Sequence, residues 1–336
     1  MRAITARLAD TRWSFLALSM ALNLFSLWCR AHRWGFLFPP GARPTHLFNA
    51  VMIGYMGNNL LPLRAGEVLR AYVVARRGES FWTVVTTMVV ERVLDGLAVG
   101  LMLAAVFILV PVPRELEWAA LLFLSIDVAL IAALGAFTLA PDRVRRLAAE
   151  LTYRWPVLAA RASRVLDTLD SGLAGIRAPS HIPSTIVWST LIWVTLIATT
   201  WTCLLASHLD LPILAGLTTL AFLGLGVSLP SSPGFVGVIQ AASYAALRLF
   251  DVPLNDALSF SILLHVSQFV PVTLWGLALL LVEHVSLAEA RRPHDSPPCR
   301  QALRRHDPCK RSASGARRIL RAMEKMRNGW KDVQDK

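Results

Sequence analysis

Apolar residues in this chain arrive in long blocks, most of them free of Asp, Glu, Lys and Arg, rather than at the alternating or three-to-four spacing of a half-buried element. Blocks of that kind match a bilayer's hydrocarbon core of roughly 30 Å, which about 20 residues of α-helix can cross. On this pattern the spans fall at 13–29, 46–62, 82–109, 118–139, 184–206, 213–230, 233–250 and 257–282. The second and seventh are short and carry Gly and Pro, which marks them as broken or re-entrant rather than plain helices. The expected fold is all-α, a polytopic transmembrane helix bundle of about eight membrane segments, two of them broken or re-entrant. It occupies residues 1–283 and is followed by a basic, largely disordered tail over 284–336.

Composition agrees with lipid as the main solvent: 55% of the 336 residues are hydrophobic and 17% charged, against roughly 25% charged in an average soluble domain. The formal charge of +12 would point to nucleic acid in a soluble protein. Here the basic residues track topology instead, and no nucleic-acid partner is expected. With the N-terminus inside and an even number of crossings, the inside segments take Arg2, Arg7 and Arg12, four arginines between 64 and 77, seven between 143 and 177, and fourteen Lys or Arg after 283. The outside segments then hold Arg30, Arg33, Arg43 and Arg114. This is the bias of cytoplasmic loops, so the reading is a multi-pass protein of the cytoplasmic membrane with a cytoplasmic tail. The block from Trp13 to Cys29 follows three arginines like a signal peptide but lacks a small-residue cleavage site, and reads as a retained span.

Two surface elements follow from the same residues. The segment from Pro141 to Pro183 mixes Arg143, Arg145, Arg146, Arg154, Arg161 and Arg164 with Ala and Leu, either as a basic amphipathic helix on anionic headgroups or as a solvated connector. In the tail, Ile319, Met323, Met326 and Trp330 make one apolar stripe beside basic residues, either an amphipathic helix at 316–331 that folds on a surface or a partly helical solvated tail. Cys29, Cys203, Cys299 and Cys309 form no CxxC pair, so neither a disulfide framework nor a metal site is expected, and no cofactor is implied.

Candidate chemistry sits where the apolar blocks are interrupted. Gly57-Asn58-Asn59-Leu60-Leu61-Pro62-Leu63-Arg64-Ala65-Gly66-Glu67 and Val227-Ser228-Leu229-Pro230-Ser231-Ser232-Pro233-Gly234 both contain Leu-Pro-x-x-x-Gly. Paired breaks in two halves of a chain point to a transporter-type site, whereas two ordinary turns at span ends would look the same in sequence. Glu91, Arg92 and Asp95 lie about 13 Å into the span that starts near Trp82. Three charges there need partners or water, either as the lining of a polar cavity or as an ion-pair cluster locking helices together. Arg64, Glu67 and Arg70 follow the first break at spacings of three; a helix resuming there would favour an anionic group such as a phosphate. Ser261, His265 and Gln268 form a polar stripe on the last span, with His265 either a proton relay or a packing residue.

The runs Asn58–Arg70, Glu91–Asp95 and Leu229–Gly237 together resemble the lysylphosphatidylglycerol synthase transmembrane family, also called flippase-like proteins, over about residues 13–283. The resemblance implies a polytopic bundle with re-entrant elements, in a family whose best-understood members move aminoacylated phosphatidylglycerol between leaflets. It adds Pro230, Ser232, Pro233, Gly234 and Gly237 to the candidate binding residues Asn58, Asn59, Pro62, Arg64, Gly66, Glu67, Arg70, Glu91, Arg92, Asp95 and His265. The chain departs from the family pattern at Phe235, where a second glycine is usual, and at Gln240, where an acid is usual. A further hydrophobic segment often precedes the first span in the family, and a large soluble transfer domain follows the membrane part of the synthase. A tail of this length cannot form that domain, so lipid aminoacylation is not expected.

The leading expectation is a lipid transporter, not an enzyme, moving an anionic or carrier-linked membrane lipid. The rivals are an intramembrane glycosyl or phosphoryl transferase using Glu91 or Asp95 as a base, and an accessory scaffold for a membrane-associated synthesis enzyme.

Overall fold

The computed structural model describes residues 10–282 apart from 42, 62–63, 113, most of 154–176, and 229–231. The basic tail and its candidate helix at 316–331 lie outside the described residues, as do Pro62 and Pro230. Met1–Leu279 group as one compact unit, which contains everything discussed below except the last turn of the final helix. Every regular element described is helical.

Five helices are long and apolar enough to cross a membrane: α1 (Trp13–Phe36), α4 (Phe81–Leu109), α5 (Arg114–Leu139, of which 121–138 is the apolar stretch), α7 (His181–Ala206) and α10 (Leu254–Val282). Between them lie shorter helices. α2 (Leu47–Leu60) and α3 (Ala65–Ala75) have 14 and 11 residues, so they reach about 21 and 17 Å, less than a bilayer core. α8 (Ile213–Ser228) and α9 (Val238–Leu247) have 16 and 10 residues, about 24 and 15 Å. Each short pair packs against itself. The two expected breaks are therefore the turns of two helical hairpins, and the sequence spans at 46–62, 213–230 and 233–250 are hairpin arms rather than full-length helices.

The first hairpin closes on glycine. A methyl group added to Gly66 would fall 2.0 Å from the Gly54 carbonyl oxygen and 2.4 Å from the Asn58 nitrogen, and one on Gly57 would fall 2.7 Å from the Gly66 Cα. Small residues at these three positions let the two backbones touch, the device by which apolar helices associate without a hydrophobic driving force between them. In the second hairpin the turn needs a left-handed backbone at Gly234 (φ 65°), which glycine adopts without cost.

α1 and α7 form the longest contact, running antiparallel over their full length. The Arg12 amide donates to the Ala206 carbonyl, Ser19 Oγ to the Thr199 carbonyl, and Arg33 Nη1 to Ser189 Oγ, while the His181 ring meets the Phe36 carbonyl. Leu16, Cys203, Leu204, Leu223, Phe260 and Leu264 join α1, α7, α8 and α10 into one buried apolar cluster, and Val99, Leu103, Val106 and Phe222 join α4 to α8 in another. α6 (Pro141–Thr152) opens the basic segment as a short helix, with Leu147 and Leu151 exposed.

Candidate functional site

Helix α1 continues past Cys29 to Phe36, because no proline interrupts it before Pro39. That extension corrects the placement of Arg30 and Arg33 in an outside loop: both lie within α1 and are buried. They point at Glu91 and Asp95, which share a face of α4 at i, i+4. Arg30 Nη1 donates to Asp95 Oδ2 at 2.5 Å and Glu91 Oε1 at 3.2 Å, and Arg33 Nη2 to Asp95 Oδ1 at 2.7 Å and Glu91 Oε1 at 3.4 Å. Each carboxylate is thus bridged by two guanidinium groups, the arrangement in which a charge can remain in a low-dielectric interior.

A third arginine completes the centre. Arg70 on α3 brings Nη2 to 2.8 Å from Glu91 Oε2, and its guanidinium lies 3.7 Å from the centroid of the Trp34 ring, a cation–π contact in a buried setting. Trp34 is itself fixed by an Nε1–H bond to Thr87 Oγ1 at 3.0 Å. Gly54 leaves room for the Arg70 stem, since a methyl there would meet Arg70 Cβ at 2.8 Å. Glu91 is 0% exposed, and the Arg70 Nε and Nη1 atoms are buried without hydrogen-bond partners among the described residues.

Towards the surface the cluster opens. Arg92 pairs with Glu67 of α3 and approaches Asp95 Oδ2 at 3.8 Å. Its side chain is 41% exposed. Four arginines (30, 33, 70 and 92) therefore face three carboxylates (67, 91 and 95). Arg64, next along the rim, adds a fifth cation: it donates to the Val227 carbonyl and lies 5.7 Å from the Phe235 ring.

That contact brings the two breaks together. Asn59 Nδ2 donates to Thr273 Oγ1 at 2.9 Å, and a methyl on Gly234 would lie 3.2 Å from the Asn59 carbonyl oxygen. The 3₁₀ turn Pro233–Phe235 packs on α2. Ser232 Oγ bonds the Val236 carbonyl, and the Gly237 amide donates to Gln240 Oε1 at 2.7 Å. Gln240, standing where the family has an acid, thus caps the start of α9 and also lies 3.4 Å from His265 Nδ1. His265 packs edge-on against Phe269 beneath this turn. Asn58 faces the α3 backbone, its Oδ1 buried without a partner among the described residues.

The geometry gathers the sequence candidates into two adjoining groups. Glu67, Arg70, Glu91, Arg92 and Asp95 form the charged centre, with Asn58 and Gly66 at the hairpin contact beside it. Asn59, Arg64, Ser232, Pro233, Gly234, Gly237 and His265 belong to the meeting of the two hairpin turns. Sequence reasoning missed Arg30, Arg33 and Trp34, for which the available signal was two arginines three apart on an uninterrupted helical continuation. Among the described residues no group of three His, Cys, Asp or Glu could hold a metal.

The family model of the lysylphosphatidylglycerol synthase TM region matches residues 1–276. The chain belongs to this family. It is also similar to a UPF0104 membrane protein of Methanocaldococcus jannaschii, 23% identical over 239 residues that cover 70% of this chain and 97% of that protein. No solved structure matches it. The chain is therefore an integral membrane protein of the lysylphosphatidylglycerol synthase TM region, and the Asn58–Arg70, Glu91–Asp95 and Leu229–Gly237 runs lie within the matched residues.

Proposed function

We propose that this chain moves an anionic or carrier-linked lipid between the leaflets of the cytoplasmic membrane, holding the lipid's phosphate against Arg64, Arg70 and Arg92. The observation that carries the reading is the excess of arginine over carboxylate at one centre among apolar helices, with buried guanidinium N–H groups still to be bonded. A net positive centre in a low-dielectric surrounding is relieved by an anion, and a phosphate accepts several guanidinium donors at once. Arg92 and Glu67 form the exposed side through which a headgroup enters, and the adjoining hairpin turns supply the irregular backbone that lipid tolerates only beside protein or a wet cavity.

Transfer chemistry is the weaker reading. Glu91 and Asp95 are each committed to two or more arginines, so neither is presented to a substrate as a general base. The arginine-rich α6 and the basic tail fit the cytoplasmic face.

Reconstitution tests the proposal. Fluorescent phosphatidylglycerol, phosphatidylcholine and a polyprenyl phosphate are each placed in liposomes with and without the protein, and exchange between leaflets is followed by quenching the outer-leaflet probe. Faster exchange of the anionic probes, slowed by Arg92→Ala and Arg64→Ala, is the expected outcome. Equal rates in protein-containing and empty liposomes for every anionic probe would sink it.

A further inference from the structure

Helix α5 is the least covered of the five long helices. Leu121, Leu122, Ile126, Val128 and Leu130 are about half exposed or more, as expected of side chains that meet lipid. Asp127 turns the other way and is 6% exposed. A methyl added to Gly96 of α4 would fall 2.0 Å from Asp127 Oδ1, and one on Gly100 would fall 2.9 Å from Leu124 Cδ1. Gly96 and Gly100 thus form a groove on α4 in which α5 seats a leucine and, one turn on, a carboxyl.

Among the described residues, no group neutralises that carboxyl. Asp127 Oδ2 is buried without a hydrogen-bond partner, and no ion pair reaches Asp127 among the described residues. On α4 the nearest charged groups along the chain are Arg92 and Asp95, which are committed to Glu67, Arg30 and Arg33. α6, also packed on α5, begins at Pro141 with Asp142, Arg143, Arg145, Arg146 and Glu150, about 21 Å along the helix axis from Asp127. Arg177 bonds the Phe137 carbonyl, about 15 Å along the same axis. Burying an unpaired polar group among apolar helices costs free energy that a bound partner recovers. A metal ion needs several oxygens, whereas one proton is enough to neutralise a single carboxyl.

We infer that Asp127 is a proton-binding carboxyl within the membrane, and that its proton is linked to occupancy of the neighbouring arginine centre. Gly96, on which the carboxyl rests, directly follows Asp95 of that centre. An anion bound at the arginines makes the field at Asp127 more negative and favours the protonated form; its departure favours release of the proton to water. By linkage, proton binding at Asp127 must favour the anion to the same degree. The second half of this inference rests on the transport reading above; the first half does not.

Two measurements on the full-length protein in liposomes separate them. The first is mass-spectrometric detection of an adduct at Asp127 after treatment with dicyclohexylcarbodiimide, which attacks protonated carboxyls in apolar surroundings. An adduct at neutral pH, lost as the pH is raised, is expected, with loss of labelling in Gly96→Ala, whose methyl displaces the carboxyl. The second is leaflet exchange of anionic probes with and without a pH gradient. The wild type is expected to respond to the gradient, and Asp127→Asn, a fixed neutral side chain, is expected to keep exchange but lose the response. Labelling without any lipid exchange would overturn the transport reading and leave the proton site standing. Lipid exchange in a protein whose Asp127 never labels, and whose rate ignores the gradient, would overturn the proton site.

Discussion

Arg33 on α1 and Asp95 on α4, 62 residues apart in the chain, meet at 2.7 Å in the interior of the bundle. The pair is one side of a lattice in which Arg30 and Arg33 each bridge Asp95 and Glu91. It ties α1 to α4, the first two of the five long helices, at the point where the proposed lipid site begins.

Removing one member leaves a buried charge uncompensated. Arg33→Ala or Glu91→Ala is expected to cost about 3–5 kcal/mol of stability, read as a lowered Tm in detergent. Arg33→Lys should recover little, because a single ammonium cannot reproduce the guanidinium fork that spans both carboxylates. A Tm for Arg33→Ala equal to that of the wild type would contradict the buried lattice.

Arg92 should behave in the opposite way. Its side chain is 41% exposed and pairs with Glu67 at the rim, whereas Arg33 is wholly buried between two carboxylates. Arg92→Ala is therefore expected to lower the Tm less than Arg33→Ala does while slowing exchange of anionic probes; a larger fall in Tm with unchanged exchange would reverse its assignment.

The glycine contacts of the first hairpin give a steric test. A methyl at Gly66 meets the Gly54 carbonyl at 2.0 Å, whereas one at Gly135 on α5 meets nothing within 4 Å. Gly66→Ala should force α2 and α3 apart and reduce the yield of folded protein in size-exclusion chromatography. Gly135→Ala should be neutral or slightly stabilising, since alanine is the better helix former by about 1 kcal/mol.

The junction between the first hairpin and α10 is tested by the bond from Asn59 to Thr273. A double-mutant cycle with Asn59→Ala and Thr273→Val should show a coupling near 1 kcal/mol, the usual net worth of a neutral hydrogen bond. Additive effects on Tm would mean that the two side chains do not meet.

The bundle class, the position of both breaks and the Glu91, Arg92, Asp95 cluster were legible in the sequence, because a bilayer imposes long apolar runs and makes every interruption conspicuous. Local chemistry also put Glu91 and Asp95 on one face of their helix, while a helix resuming after Arg64 was a condition that the structure meets with α3. What pairing those charges find was not legible. Arg30 and Arg33 look like loop cations when the hydrophobic block is ended at Cys29, and only packing of α1 on α4 turns them inward. Nor does the pattern tell a span from half a hairpin: the arms of the two hairpins differ from full crossings by a few residues, and the close approach of Gly54, Gly57 and Gly66 fixes the first. Sequence alone determined which solvent surrounds this protein and where polar chemistry enters it, since those depend on the order of residues along one helix. Tertiary structure decided which charges neutralise one another, which stay in excess, and that Asp127 has no cation beside it among the described residues, since those depend on contacts between residues far apart in the chain.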